Sequence, residues 1–213
     1  MVSADEFWVN LLKWFESNSR RYSWRETKNP FHILVAEFLL QQTHVRKVEE
    51  VYKKLITEYP CPNDLANAEI EDIRKIIQTI GLVYRADRLK KCAEIIVSKY
   101  EGKVPCNLND LKSLPGVGDY IAHAVMCYGY GFPTVPIDTN VIRLFKRYFC
   151  LTSNKLRPRN DRVLAEDIRS FFPVENTRNE NLAVLDLGGT ICTANKPKCS
   201  ICPLEKSCAK KVD

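Results

Sequence analysis

The stretch SLPGVGDYIAHAV, residues 113–125, has the pattern of two helical segments joined by a tight glycine turn. Gly116 and Gly118 can adopt backbone angles that are closed to other residues, and they let another molecule approach the backbone closely. The turn leaves backbone N–H groups free at the start of the second segment, where the helix dipole also favours negative charge. The pattern therefore predicts a helix–hairpin–helix that can hold a nucleic-acid phosphate without reading bases. A plain glycine turn between two helices is the alternative.

The rest of the chain is also predicted to be helical, which makes the fold class all-α. Glycine is scarce, with 8 residues in 213, and the alternating apolar pattern of strands is rare. Apolar residues recur at spacings of three and four, with breakers such as YPCPND at 59–64 between the segments and a basic surface loop at 152–162. The predicted helices are residues 4–17, 31–42, 45–59, 70–80, 85–100, 107–113, 120–130, 140–149, 162–172 and 179–187.

Composition is that of a globular protein. Hydrophobic residues make up 45% and charged residues 27%, and no apolar stretch is long enough to span a membrane. The first ten residues lack the basic and apolar regions of a signal peptide, so we expect a cytoplasmic protein. The net charge of +6 suits a polyanionic partner, although a basic surplus is more often solvated surface.

A single carboxylate, Glu37, interrupts the apolar run ILVAEFLLQQ at residues 33–42. An unpaired carboxylate in an apolar environment is destabilising, so Glu37 is either a structural acid in a salt bridge or a functional group. Apolar surroundings would raise its pKa and suit it to donate a proton, and holding a reacting water molecule is the other role considered.

A second carboxylate, Asp138, directly precedes a basic amphipathic helix in PIDTNVIRLFKRYF, residues 136–149. Aspartate at this position commonly caps a helix. The sharper hypothesis is a carboxylate that the helix dipole keeps ionised and that faces a developing positive charge.

Four cysteines crowd together in CTANKPKCSICPLEKSC, at Cys192, Cys199, Cys202 and Cys208. Two cysteines separated by two residues can direct both thiolates at one metal centre, and two more complete four-fold ligation of zinc or an iron–sulfur cluster. Ligand number does not separate these two cofactors, and four ordinary cysteines are the remaining alternative.

These motifs together resemble one family. The order and distances of LPGVG with Tyr120, then IDTN, then the four cysteines, are similar to those of the helix–hairpin–helix DNA glycosylases, the endonuclease III superfamily, over about residues 5–210. The resemblance implies a two-lobed helical fold with DNA and the flipped base in the cleft, a catalytic Asp138 and a [4Fe–4S] cluster on the four cysteines. One lobe, a six-helix barrel, would span 22–135, and the cluster lobe would combine 1–21 with 136–213.

Residue 120 bears on the type of chemistry. Family members that also cut the strand have a lysine here, whose amine forms a Schiff base with the sugar. A tyrosine phenol, with a pKa of about 10, cannot do so. We therefore predict a monofunctional enzyme that leaves an abasic site, with Tyr120 lining the pocket near the sugar unless it is only a packed aromatic.

Two monofunctional branches match. WRETKNPFHILVAEFLLQQT and LDLGGTICTANKPKCSICPL resemble the MutY-type adenine glycosylases, in which Glu37 would be the catalytic acid. Those enzymes usually carry a further C-terminal domain, whereas this chain ends five residues after Cys208. KVPCNLNDLKSLPGVGDYIAHAVMC and RLFKRYF are more similar to the compact archaeal thymine/uracil mismatch glycosylases, which act on G:T and G:U pairs. We favour this second interpretation.

Further residues are expected to contact DNA. Gln41 and Gln42 would fill the gap left by the flipped nucleotide, and Leu82 would be a wedge residue unless it is a core leucine. The other candidates each have a structural alternative, such as a packed side chain, a contact that fixes the Asp138 rotamer, or solvated helix surface. They are Trp24, Arg25, Gly116, Val117, Gly118, Asn140, Arg143 and Arg147.

The expected partner is double-stranded DNA that contains a mispair. We expect a monomer associated with the nucleoid, with an abasic-site (AP) endonuclease acting next on the product. A non-catalytic DNA-binding iron–sulfur protein is one rival, against which the acids Glu37 and Asp138 argue. A small zinc-stabilised interaction protein is another, and visible absorption by iron would exclude it.

Overall fold

The structure is a computed structural model that describes residues 3–175 and 178–209, and within these residues there is no β-strand. The all-α prediction is therefore confirmed. Short 3₁₀ turns occur at Gln78–Ile80, Pro158–Asn160 and Cys199–Ile201, and a π-helical turn at Val125–Gly129. The α-helices are α1 Ala4–Asn18, α2 Ser23–Glu26, α3 Pro30–Leu40, α4 Val45–Glu58, α5 Pro62–Asn67, α6 Ile70–Ile77, α7 Tyr84–Tyr100, α8 Leu108–Ser113, α9 Asp119–Ala124, α10 Thr139–Phe149, α11 Arg162–Ser170 and α12 Arg178–Thr190.

Two local signals explain where helices begin. Asn29 caps α3, because its side chain accepts hydrogen bonds from the N–H groups of Phe31 and His32, and Pro30 occupies the first turn. The predicted breaker at 59–64 is partly wrong, since Pro62 begins α5. Proline is tolerated in a first helical turn, where its missing N–H is not needed.

The predicted helix over 31–42 ends two residues early. Gln41 leaves the helical region with ψ 113°, and Gln42 adopts a left-handed φ of 54°. The apolar pattern that predicted the helix stops at Leu40, so no burial compensates for extending it. This early end exposes the Gln42 side chain on a loop.

The chain forms two compact units. The terminal unit contains Met1–Arg20 and Ile137–Asp213, and the central unit contains Arg21–Pro136. In the terminal unit, α12 packs against both α1 and α10. Its core contains an aromatic cluster, in which the ring centroid of Phe7 lies 4.8 Å from that of Tyr148 and 5.4 Å from that of Phe145. Such pairs add stability beyond the area that they bury.

The central unit is built around α3. Every residue of α3 from Phe31 to Leu39 except His32 is buried, and α4, α9 and the π-helical turn pack on it. A Cβ atom at Gly129 would lie 2.9 Å from the Cα of Pro30, so glycine is required where the π-helical turn meets the start of α3. In the described residues, no helix has both the length and the apolar character needed to cross a membrane.

Candidate functional site

The predicted hairpin is formed by α8, the turn at 114–118 and α9. Gly116 has φ +83°, and a Cβ there would lie 2.8 Å from a ring carbon of Phe38, so both backbone and packing require glycine. Gly118 has φ −91° and ψ −175°, which any residue can adopt, and a Cβ there would meet nothing within 4 Å. The expectation that both glycines need special backbone angles is therefore wrong for Gly118. Val117 is buried and donates its N–H to the Leu114 carbonyl at 3.1 Å, which anchors the turn.

Two predicted catalytic residues lie in the central unit. Glu37 is 6% exposed among the apolar residues of α3, and Tyr120 is half-buried in the first turn of α9. Because α3 and α9 pack together, both residues belong to one helical pair of this unit.

The central unit also presents two loops, one with the predicted gap-filling residue Gln42 and one with the predicted wedge residue Leu82. Gln42 and Leu82 are exposed, and each has a left-handed φ of 54°, which is unfavourable for a residue with a side chain. The exposure of Leu82, 36%, contradicts the alternative that it is a core leucine. Gln41 donates from Nε2 to the Gly116 carbonyl at 3.2 Å, which ties its loop to the hairpin.

Arg85, which sequence reasoning missed, holds these two loops together. It is fully buried, and its Nη1 donates to the carbonyls of Leu39 at 2.5 Å and Gln41 at 3.2 Å. Its Nη2 donates to the carbonyls of Ile80 at 3.3 Å and Gly81 at 2.9 Å. Within the described residues no carboxylate pairs with it, and burial lowers the pKa of its guanidinium group.

Trp24 and Arg25 both pack against tyrosine rings. Trp24 is buried and stacks on Tyr22 with ring centroids 4.7 Å apart, and it meets Tyr52 edge-on at 5.6 Å. The guanidinium carbon of Arg25 lies 5.5 Å from the Tyr22 ring centroid. These contacts correspond to the packing alternative for Trp24.

Asp138 caps α10 in the terminal unit. Its Oδ1 accepts hydrogen bonds from the N–H groups of Asn140 and Val141, both at 2.8 Å. Burial raises the pKa of Asp138, although those hydrogen bonds and the charge of Arg143 act in the opposite direction. The expectation that the helix start keeps this group ionised is therefore incomplete, because desolvation outweighs the helix-start contacts.

A chain of side chains continues from Asp138. Asn140 donates from Nδ2 to Asp138 Oδ2 at 2.5 Å, so the structure shows the rotamer-fixing contact considered for Asn140. Arg143 donates to Asn140 Oδ1 at 2.8 Å and to the Cys192 carbonyl at 2.8 Å. A Cβ at Gly188 would lie 3.0 Å from the Asn140 Cβ, so glycine leaves room for this arrangement.

The four cysteines of the C-terminal segment line one pocket of the terminal unit, with Leu144, Ile191 and Leu204 among its apolar walls. Burial, and the proximity of the other three thiols, raise the pKa of Cys202 to about 11. Within residues 3–175 and 178–209, no His, Cys, Asp or Glu side chains form a group that could hold a single metal ion.

Arg147 forms part of the wall of this pocket. It is 7% exposed, and its Nη1 donates to the Thr193 carbonyl at 2.7 Å and lies 3.6 Å from the sulfur of Cys192. Its Nε is buried and has no hydrogen-bond partner among the described residues. The pocket fits an anionic group bound through thiolates, because it combines four thiols, apolar walls and a buried unpaired donor. Such a group can accept a hydrogen bond from Nε.

Comparisons with known proteins agree with this architecture. Residues 35–169 match the family model described as "HhH-GPD superfamily base excision DNA repair protein". A thymine/uracil-DNA glycosylase of Pyrobaculum aerophilum is 41% identical over 95% of this chain and 90% of its own length. An adenine DNA glycosylase of Mycobacterium tuberculosis is 36% identical over 92% of this chain and 65% of its own length.

A solved structure of a thermostable thymine-DNA glycosylase superposes with a TM-score of 0.90 at 34% identity, covering 97% of this chain and 95% of that one. The predicted family, the helix–hairpin–helix glycosylase fold and the class of enzyme, a DNA N-glycosylase of base excision repair, are thereby confirmed. The chain belongs to the HhH-GPD superfamily of base excision DNA repair proteins.

Proposed function

We propose that this enzyme removes thymine or uracil from mispairs with guanine in double-stranded DNA and leaves an intact abasic strand. The observation that carries the proposal is the similarity to a thymine/uracil-DNA glycosylase over nearly the whole length of both chains. A mispaired nucleotide is cheaper to unstack than a paired one, which contributes to selectivity.

Asp138 and Glu37 divide the chemistry in this proposal. Cleavage of the bond between C1′ of the sugar and the base nitrogen leaves positive charge on the sugar and the electron pair on the base. Asp138, ionised, stabilises the sugar cation, and Glu37 donates a proton to the departing base. Water then adds to C1′ and releases a proton. The burial of both acids supports these roles, because electrostatic interactions strengthen away from water.

Tyr120 is the reason to expect no strand cleavage. It occupies the position after LPGVGD where a lysine would form a Schiff base. The wild-type enzyme should give no covalent adduct with DNA on borohydride treatment, and Tyr120→Lys should give one. Efficient trapping of the wild-type enzyme would contradict a monofunctional mechanism.

DNA binding in this proposal uses the loops and the hairpin of the central unit. Gln42 and Leu82 enter the duplex where the nucleotide leaves it, and the hydrogen bond from Gln41 to the hairpin holds the loop that carries Gln42. The turn around Gly118 receives a backbone phosphate, for which the open space above this glycine leaves room. Arg143 donates from Nε and Nη2 to protein acceptors, so a phosphate contact by it would use Nη1. Arg147 is 7% exposed and donates to the carbonyls of Thr193 and Ala194, which argues against a phosphate contact by it.

We infer that Cys192, Cys199, Cys202 and Cys208 hold a [4Fe–4S] cluster. The pocket that these residues share, with the buried Nε of Arg147, supports the inference. Such a cluster would cross-link the C-terminal segment. Iron and sulfide analysis together with visible absorption tests it, because zinc gives neither signal.

The decisive experiment is a panel of duplexes with G:T, G:U, A:G and adenine opposite 8-oxoguanine, each assayed with and without alkali. We expect release of thymine and uracil, with strand breaks only after alkali. Asp138→Asn should abolish base release and retain DNA binding. Adenine release without thymine or uracil release would favour the second candidate function, adenine excision, which the similarity to the mycobacterial enzyme supports. A monomeric enzyme at the nucleoid, with an AP endonuclease acting next, stays a prediction.

A further inference from the structure

A basic concavity of about 470 Å³ lies on the terminal unit, between α10 and the loop that precedes α11. The sequence predicted only a surface loop at 152–162 and gave it no role. The loop instead folds against α10 and forms one wall of the concavity. The side chains that define it are Thr139, Arg143, Lys146, Leu156, Arg157 and Arg159.

Three of the four cations of this concavity lack a partner among the described residues. The side chains of Lys146, Arg157 and Arg159 make no hydrogen bond or ion pair within the described part of the chain. Arg143 uses Nε and Nη2 for protein contacts and keeps Nη1 available among those residues. No acidic side chain lines the concavity. Four like charges around one concavity repel each other, and an anionic ligand would relieve that repulsion.

The nearest acid in the loop sequence is already engaged. Asp161 accepts a hydrogen bond from Ser153 Oγ at 2.7 Å and caps α11 through the N–H groups of Val163 and Leu164. It is therefore not the counter-charge for Arg157 or Arg159. Leu156, at the tip of the loop, is fully exposed, so the loop also offers an apolar side chain beside its cations.

The position of the concavity identifies its ligand. Thr139, on its wall, directly follows Asp138, which the proposed function places at the sugar of the flipped nucleotide. The two phosphates that flank a nucleotide are bonded through oxygen to that same sugar. The strand must therefore pass close to residue 139, and it brings a row of negative charges with it. We propose that the basic concavity binds the DNA phosphates directly flanking the excised nucleotide. This inference rests on the proposed function.

The first test is the salt dependence of binding. The probe is a duplex with one G:U pair whose 2′-fluorinated deoxyuridine resists hydrolysis. The triple variant Lys146→Gln, Arg157→Gln, Arg159→Gln should bind this duplex more weakly. The negative slope of log K against log salt should become shallower, by roughly 0.9 for each phosphate that the protein no longer neutralises. The control Lys53→Gln, Lys54→Gln, Lys75→Gln removes the same charge from lysines that pair with acids in the central unit. It should leave the slope nearly unchanged.

The second test locates the contact. Neutral methylphosphonates replace, one at a time, the phosphates around the target nucleotide. A methylphosphonate at a flanking position should weaken binding by the wild type severalfold. The same replacement should cause no further loss of affinity in the triple variant, because non-additive losses indicate a direct contact. Arg157→Gln alone changes one exposed side chain and should show the same coupling at one phosphate, even if the triple variant folds poorly.

The outcomes separate the two proposals. Equal losses for wild type and variants at every flanking phosphate, or equal salt slopes, would overturn the assignment of the concavity even if the enzyme releases thymine and uracil. Coupling at phosphates away from the target nucleotide would also overturn it. An enzyme that releases neither base but shows the flanking coupling would refute the proposed substrate and leave the phosphate site standing.

Discussion

Arg85 donates a hydrogen bond from Nη1 to the Leu39 carbonyl at 2.5 Å, across 46 residues of sequence. The same guanidinium group reaches the Gly81 carbonyl at 2.9 Å. One buried side chain thus supplies hydrogen-bond donors to backbone carbonyls both at the end of α3 and in the loop before α7. The planar fork of arginine suits several acceptors at once, whereas lysine offers a single point charge.

Loss of this fork should loosen both loops. We expect Arg85→Met to lower the free energy of unfolding by about 2–4 kcal/mol, because buried carbonyls lose their donors at about 1–3 kcal/mol each. Arg85→Lys should lie between this variant and the wild type. Thermal unfolding measures the change, with Lys91→Met as the control, since Lys91 is exposed on the same helix.

Because Arg85 holds both loops, its loss should also affect activity on duplex DNA. If Gln42 and Leu82 enter the duplex, Arg85→Met should reduce the single-turnover rate on a G:U duplex severalfold more than on uracil in a single strand, which needs no wedge. A uniformly misfolded variant would lose both activities together, so equal losses would contradict a positioning role.

The two glycines of the hairpin should respond differently to alanine. Gly116→Ala should destabilise the protein by about 1–3 kcal/mol, because its φ is +83° and its Cβ would meet Phe38 at 2.8 Å. Gly118→Ala should leave the Tm nearly unchanged, since its Cβ would meet no protein atom within 4 Å. It should nevertheless weaken DNA binding if a phosphate approaches this backbone. Thermal unfolding and a DNA titration of both variants test the pair, and normal DNA affinity in Gly118→Ala would argue against the phosphate contact.

The pH dependence of base release should report the environment of Asp138. Only the ionised carboxylate stabilises a cation, so the rate should fall as the pH decreases through the pKa of Asp138. Burial raises that pKa, which places the acid limb above the ordinary aspartate value of about 3.9. Asn140→Ala removes a donor that lowers the pKa and should move the limb to higher pH.

Single-turnover rates across the acid range measure this shift. Asn107→Ala is the matched control, because Asn107 caps α8 and also donates to an aspartate, Asp110. Its acid limb should coincide with that of the wild type. An unshifted limb in Asn140→Ala would mean that another group controls the acid side of the profile.

The cysteine pocket predicts a selective loss of iron. Cys202→Ser should reduce bound iron and visible absorption strongly, because serine is a poor ligand for this soft centre. Cys106→Ser changes an exposed cysteine outside the pocket and should keep both. Wild-type iron content in Cys202→Ser would exclude this residue as a ligand.

Local sequence patterns determined the fold class, most helices and the candidate acids. Apolar spacing predicts α4 and α10 within one residue at each end. It does so because the apolar face of a helix is formed by residues only three or four positions apart in the sequence. The capping role of Asp138 is equally local, since it depends on N–H groups two and three residues ahead. The motif order from the hairpin to the four cysteines was sufficient for the family.

Contacts between distant segments decided the rest. Gly116 and Gly118 look equivalent in sequence, and only Phe38 from α3 makes one of them indispensable to packing. Arg85 looks like an ordinary surface arginine of α7 until the end of α3 and the preceding loop surround it. Burial, which raises the pKa of Asp138, likewise comes from the folded unit and not from its neighbours in sequence. Helical periodicity and capping are short-range and can be read from the chain, whereas desolvation and packing depend on which segments meet in space.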